Sequence, residues 1–127
     1  MSTLNVNTVQ SSTSNPPIFK NSGGDVAGTL ARAWVNFNGT GTVAIRDSYN
    51  VSSITDNGTG NYTVNFGSAM SSINYSTVIS GDHHYSALYG FAGYVSSTTT
   101  SSVGVLSVNV DGTFYDNALM CVTVFAN

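Results

Sequence analysis

Between residues 32 and 66 the chain alternates apolar and polar side chains in short runs, and glycine-containing turns separate the runs. Ala31, Ala33, Val35 and Phe37 fall on one side of a two-residue period, with Arg32, Trp34 and Asn36 on the other. The turn Asn38-Gly-Thr-Gly41 follows, then a second alternating run through Val43, Ile45, Asp47, Tyr49 and Val51. Asp56-Asn-Gly-Thr-Gly60 reads as a tight hairpin in which Asn and Gly supply positive φ, and Tyr62, Val64 and Phe66 line one face of the return strand. A strand points successive side chains to opposite faces, whereas an amphipathic helix needs apolar residues three and four apart. This spacing therefore commits the segment to half-buried strands joined by hairpins.

Composition extends that conclusion to the whole chain. Charged residues are only 7% of it, against about 25% in an average soluble protein. The 19 serines, 15 threonines and 14 asparagines favour turns and strands, and the residues that build solvated helix faces are almost missing. The expectation is an all-β chain of 127 residues with one core. Its surface must consist of hydroxyls and amides rather than charges. Such a surface is little affected by salt, which suits a particle outside a cell; an oligomer that hides much of its surface accounts for it equally.

Further strands are expected from residue 75 to 80, 89 to 95, 103 to 110 and 118 to 125. Residues 67–74 read as a crossover with room for one helical turn, residues 96–102 as a long hydroxyl-rich loop, and Asp111-Gly112 as a turn. The last run, Ala118 to Phe125, is apolar on both faces, which marks a central or interfacial strand. Seven or eight strands at this spacing make an antiparallel β-sandwich of jelly-roll or Greek-key type. Ahead of it, residues 4–9 form one short candidate strand, Pro16 and Pro17 keep a loop extended, and residues 21–25 form a turn. Residues 1–28 thus read as an extended arm, either docking on another subunit or fraying, and residues 29–127 as the sandwich.

Several function classes are disfavoured. Three scattered cations, Lys20, Arg32 and Arg46, and a net charge of −3 do not suit a nucleic-acid surface. No run is long and apolar enough to span a membrane as a helix, and the start of the chain lacks the cationic and apolar pattern of a secretion signal. Cys121 has no partner for an internal disulfide and sits in an apolar run as a small hydrophobe. No activated nucleophile or carboxylate pair can be named, so no enzyme and no cofactor are expected.

Two sets of residues remain candidates for recognition. Asp82, His83, His84 and Tyr85, with Tyr89, Phe91 and Tyr94 just beyond, form a polar and aromatic cluster beside a Ser/Thr-rich stretch. Asp82, His83, His84, Tyr85, Tyr89 and Tyr94 are candidates for receptor contact, because tyrosine rings flanked by hydroxyls suit sugars and protein surfaces alike. The bland reading of the rings is core packing, and that of the His pair an exposed loop. Adjacent histidines point apart, so no metal site is assigned to them, although symmetry-related copies in a trimer or a pH response are conceivable. Trp34, Leu119, Cys121, Val122 and Phe125 are candidates for an interface between copies.

The stretches Arg32-Ala-Trp-Val-Asn-Phe-Asn-Gly-Thr-Gly41, Asn50-Val-Ser-Ser-Ile-Thr-Asp-Asn-Gly-Thr-Gly60 and Tyr62-Thr-Val-Asn-Phe66 resemble a module of short tail-fibre-like and fibre-tip proteins of bacteriophages, cyanophages and other marine phages in particular. Cys121-Val-Thr-Val-Phe125 resembles the closing strand of such modules. The resemblance implies a homotrimeric virion protein at the adsorption end, with other virion proteins and a host-surface glycan or protein as partners. It also implies synthesis in the host cytoplasm and release by lysis. A small domain with an arm is also the format of a capsid decoration protein, the alternative reading, and a small trimeric lectin-like carbohydrate-binding module is the second alternative.

Overall fold

The computed structural model describes residues 3–13, 16–82 and 90–126. The chain divides into two compact units, Met1–Leu30 and Ala31–Asn127. In the first, β1 (Phe19–Lys20) and β2 (Val26–Gly28) pair antiparallel around a turn. The Asn21 side chain builds that turn by accepting hydrogen bonds from the amides of Gly23 and Asp25, each at 2.9 Å. The strand expected at residues 4–9 is not formed; Leu4, Val6 and Val9 are exposed there. Alternation makes a strand only where a neighbouring strand completes the ladder.

The second unit is an antiparallel sandwich. One sheet runs β4 (Ala44–Tyr49), β3 (Ala33–Asn38), β10 (Met120–Phe125), β7 (Ser76–Gly81). The other runs β5 (Val51–Asp56), β6 (Asn61–Phe66), β9 (Ser102–Asn109), β8 (Phe91–Thr98). The pairs β3–β4, β5–β6 and β8–β9 each stay within one sheet, and the chain changes sheet between them. The unit's first and last strands, β3 and β10, pair at the centre of their sheet. The last strand is therefore central in its sheet, one of the two placements its apolar pattern suggests.

Alternation sorts the side chains as expected. Ala33, Val35 and Phe37 of β3 and Tyr62, Val64 and Phe66 of β6 face the interior, joined by Val103, Val105, Met120, Val122 and Val124. Burying each large apolar side chain contributes about 1.5–3 kcal/mol. Phe37 and Tyr62 meet edge to face across the sandwich with ring centroids 5.2 Å apart, the geometry that aromatic quadrupoles prefer.

The run through Val43 to Val51 departs from expectation. It breaks at Asn50, which takes φ 53° and passes the chain from one sheet to the other. Asparagine suits this left-handed corner because its short side chain bonds locally. The Asn50 amide donates to the carbonyls of Arg32 and Ser68, and its oxygen accepts from the Ser68 amide at 2.6 Å. The next hairpin is present, but Gly58 and Gly60 alone supply its positive φ (117° and 63°), not Asn57. At Gly60 space matters too: a Cβ would collide with the Ser107 carbonyl oxygen.

Two further expectations are corrected. Residues 67–74 contain no helical turn; they carry Met70 into the core, 3% exposed. The hydroxyl-rich stretch 96–102 is mostly strand, since β8 continues to Thr98 and the Thr99 hydroxyl accepts from the amides of Ser101 and Ser102 to make a tight turn. Hydroxyls thus served the turn rather than lengthening a loop. β9 is buried on both faces along Val103, Gly104 and Val105, because it is central and the Ser96 and Ser97 hydroxyls fold over Gly104.

Candidate functional site: two unlike sheet faces

Pairing registers place the outward side chains of each sheet in rows. On the β4–β3–β10–β7 sheet one row runs Tyr49, Trp34, Thr123, Val78. The next row runs Asp47, Asn36, Cys121, Ser80. Phe125 lies one step beyond Thr123, opposite Ser76. Tyr49 is 45% exposed, Trp34 36%, Val78 55% and Phe125 39%. A sheet face carrying four large apolar groups needs a cover or a ligand. Of the interface candidates, Trp34, Cys121 and Phe125 share this face. Leu119 sits just before β10, 38% exposed. Val122 does not belong with them: it is 1% exposed and packs inside the sandwich, because it alternates with Cys121 and Thr123.

The charged groups on this face are held at its margin. A bulge between β3 and β4 leaves Arg46 unpaired. Its guanidinium donates to the Asn36 side-chain oxygen at 3.2 Å and to the Ala118 carbonyl. Arg46 therefore staples β4 across β3 to the segment entering β10.

The other sheet presents a different surface. Its outward rows are Ser53 beside Asn65 and Ser102; Thr55 beside Thr63, Gly104 and Ser97; and Asn61 beside Leu106 and Tyr94. These groups are uncharged, and some are held by hydrogen bonds between side chains. The Asn65 amide donates to the Ser53 and Thr55 hydroxyls at 3.0 Å each, and the Asn57 amide donates to the Thr63 hydroxyl at 2.9 Å. Sequence reasoning grouped Trp34, Cys121 and Phe125 as interface candidates but assembled neither face in full, because the rows join residues far apart in the chain and only cross-strand register aligns them.

Of the receptor candidates, Tyr94 projects from this second face, 56% exposed. Asp82 follows β7, and its carboxylate accepts from the Leu119 amide at 3.2 Å while its own amide donates to the Leu119 carbonyl. It therefore pins the start of β10. His83, His84, Tyr85 and Tyr89 lie outside the described residues. Among the described residues no cluster of three or more His, Cys, Asp or Glu could hold a metal ion.

The connection from β9 to β10 is locked by a buried polar cluster. The Tyr62 hydroxyl lies 2.6 Å from an Asp116 carboxylate oxygen and 3.0 Å from the Gly39 carbonyl. The same Asp116 oxygen accepts from the Gly60 amide at 2.7 Å, and the Asn117 amide donates to the Ser107 hydroxyl at 2.8 Å. Burial first, and then the Asp116 carboxylate, push the Tyr62 phenol well above its usual range. A phenol so held stays protonated and serves as a structural donor, not as an acid or base.

No family model, no curated protein and no solved structure matches the chain. Among the described residues no helix is long and apolar enough to cross a membrane.

Proposed function

We propose that the chain is a phage virion structural protein without enzymatic activity, a homotrimeric tail-fibre or tail-tip module that takes part in host attachment. The observation that carries this reading is the contrast between the two sheet faces. Tyr49, Trp34, Val78 and Phe125 stand uncovered on one of them, and the opposite face is hydroxyl and amide. In this reading the apolar face packs against other copies and the polar face meets solvent and host. Closed symmetry suits such a patch, since each copy contributes the same surface. The resemblance of residues 32–66 to fibre-tip modules supplies the virion setting, the host-surface partner, and release by host lysis.

Two measurements test it. Light scattering of the purified chain is expected to give three times the 13.2 kDa of one copy; a monomer refutes the trimer. Immunogold labelling of virions is expected at the tail or its appendages. Label spread over the head supports a capsid decoration protein instead. That second reading is favoured by the apolar residues that the first unit leaves open, among them Leu4, Val9 and Ile18, each at least 60% exposed; they suit docking on other virion proteins.

A further inference from the structure

We infer that the outward face of the β5–β6–β9–β8 sheet is a binding surface for a neutral polysaccharide, with Tyr94 as its stacking ring. The inference rests on the attachment role proposed above and assigns it a place and a ligand class. Four adjacent strands span about 14 Å at ordinary strand spacing, wide enough for a short oligosaccharide laid across them. The outward positions between Ser53 and Tyr94 are Ser, Thr and Asn, with Leu106 as the apolar exception and Gly104 roofed by the Ser96 and Ser97 hydroxyls. The array is ordered in advance, because Asn65 fixes the Ser53 and Thr55 hydroxyls and Asn57 fixes that of Thr63. Preordered donors and acceptors lower the entropy cost of binding.

The ligand class follows from the chemistry of the face. Its outward groups from Ser53 to Tyr94 carry no charge, so nothing on it selects a phosphate, sulfate or carboxylate. Leu106 and Tyr94 are the only large apolar groups in its outward rows, too few to hold a peptide by burial. Sugar hydroxyls match Ser, Thr and Asn as both donors and acceptors. The apolar side of a pyranose ring matches the half-exposed phenol of Tyr94, which closes the row through Leu106 and Asn61.

The test uses the full chain against immobilised dextran, mannan and galactan, with alginate and heparin as acidic probes, followed by calorimetry on whichever neutral polymer is bound. Binding to at least one neutral polymer is expected, with affinity unchanged between about 50 and 500 mM salt. Tyr94→Ala should weaken it roughly tenfold and Tyr94→Phe by less than about twofold. Asn65→Ala should weaken it roughly fivefold through the freed hydroxyls. Tyr94 is exposed enough that its variants fold, and circular dichroism checks Asn65→Ala. Binding only to the acidic probes, binding indifferent to Tyr94, or no binding at all overturns the inference. Immunogold labelling is independent of these outcomes, so tail label without sugar binding removes the ligand assignment and leaves the attachment reading standing.

Discussion

Tyr62 shows how one hydroxyl ties the two sheets to their connections. Its ring packs on Phe37, and its hydroxyl reaches Asp116 and Gly39 in segments distant in sequence. Tyr62→Phe keeps the ring and removes the donor, so a loss of about 1–3 kcal/mol is expected in chemical denaturation. The pH response follows from the same geometry. Above about pH 10 the unfolded chain releases the phenolic proton, while the folded chain holds it because the group's affinity is raised. The unfolded state then binds fewer protons, and stability falls as pH rises. Tyr75, raised by burial, adds in the same direction. Melting temperature should therefore drop between about pH 10 and pH 12, and Tyr62→Phe should drop less. Thr77 is the opposite case, a buried hydroxyl with no partner among the described residues. Thr77→Val should raise stability by roughly 1 kcal/mol, read as a higher denaturation midpoint.

At the scale of elements, corners and turns carry the decisions that alternation leaves open. Asn50 converts what looks like one long strand into two strands in different sheets. Asn50→Gly keeps the left-handed backbone and loses the side-chain bonds to residues 32 and 68, at a cost of about 1–2 kcal/mol. Asn50→Val adds strain to that loss and should unfold at clearly lower denaturant. Gly60 is less tolerant, because a Cβ would meet the backbone of both Ser107 and Tyr115. Gly60→Ala is expected to be among the most damaging single changes, with a loss of soluble folded protein by circular dichroism. The hairpin at residues 56–60 was legible because Asn-Gly and Gly turns announce it locally. The corner at Asn50 was not, because its partners are remote.

For the whole molecule, the sandwich has one face that is apolar and one that is not. The single tryptophan lies on the apolar face, so it reports on whatever covers that face. If copies associate there, as proposed, Trp34 emission should shift to the red on dilution as its burial is lost. Val78→Asp, in the same row, should lower the mass measured by light scattering toward that of one copy, with the circular dichroism spectrum retained. An unchanged mass would place the association elsewhere.

The amino-acid sequence by itself determined the class of fold. Two-residue alternation, glycine turns and the scarcity of helix formers allow little besides antiparallel strands, and each of those signals is local. It also marked the last strand as central or interfacial, since apolar residues on both faces need cover on both; the pairing with β3 and β7 put it at the centre of its sheet. Tertiary structure decided what depends on register. It set Val122 inside and Trp34, Cys121 and Phe125 outside, turned an expected loop at residues 96–102 into strand, and lined Ser53, Asn65 and Tyr94 onto one face. Shifting a strand by one residue inverts every side chain on it, so which groups share a surface is fixed by the pairing of distant strands and by no single stretch of the chain.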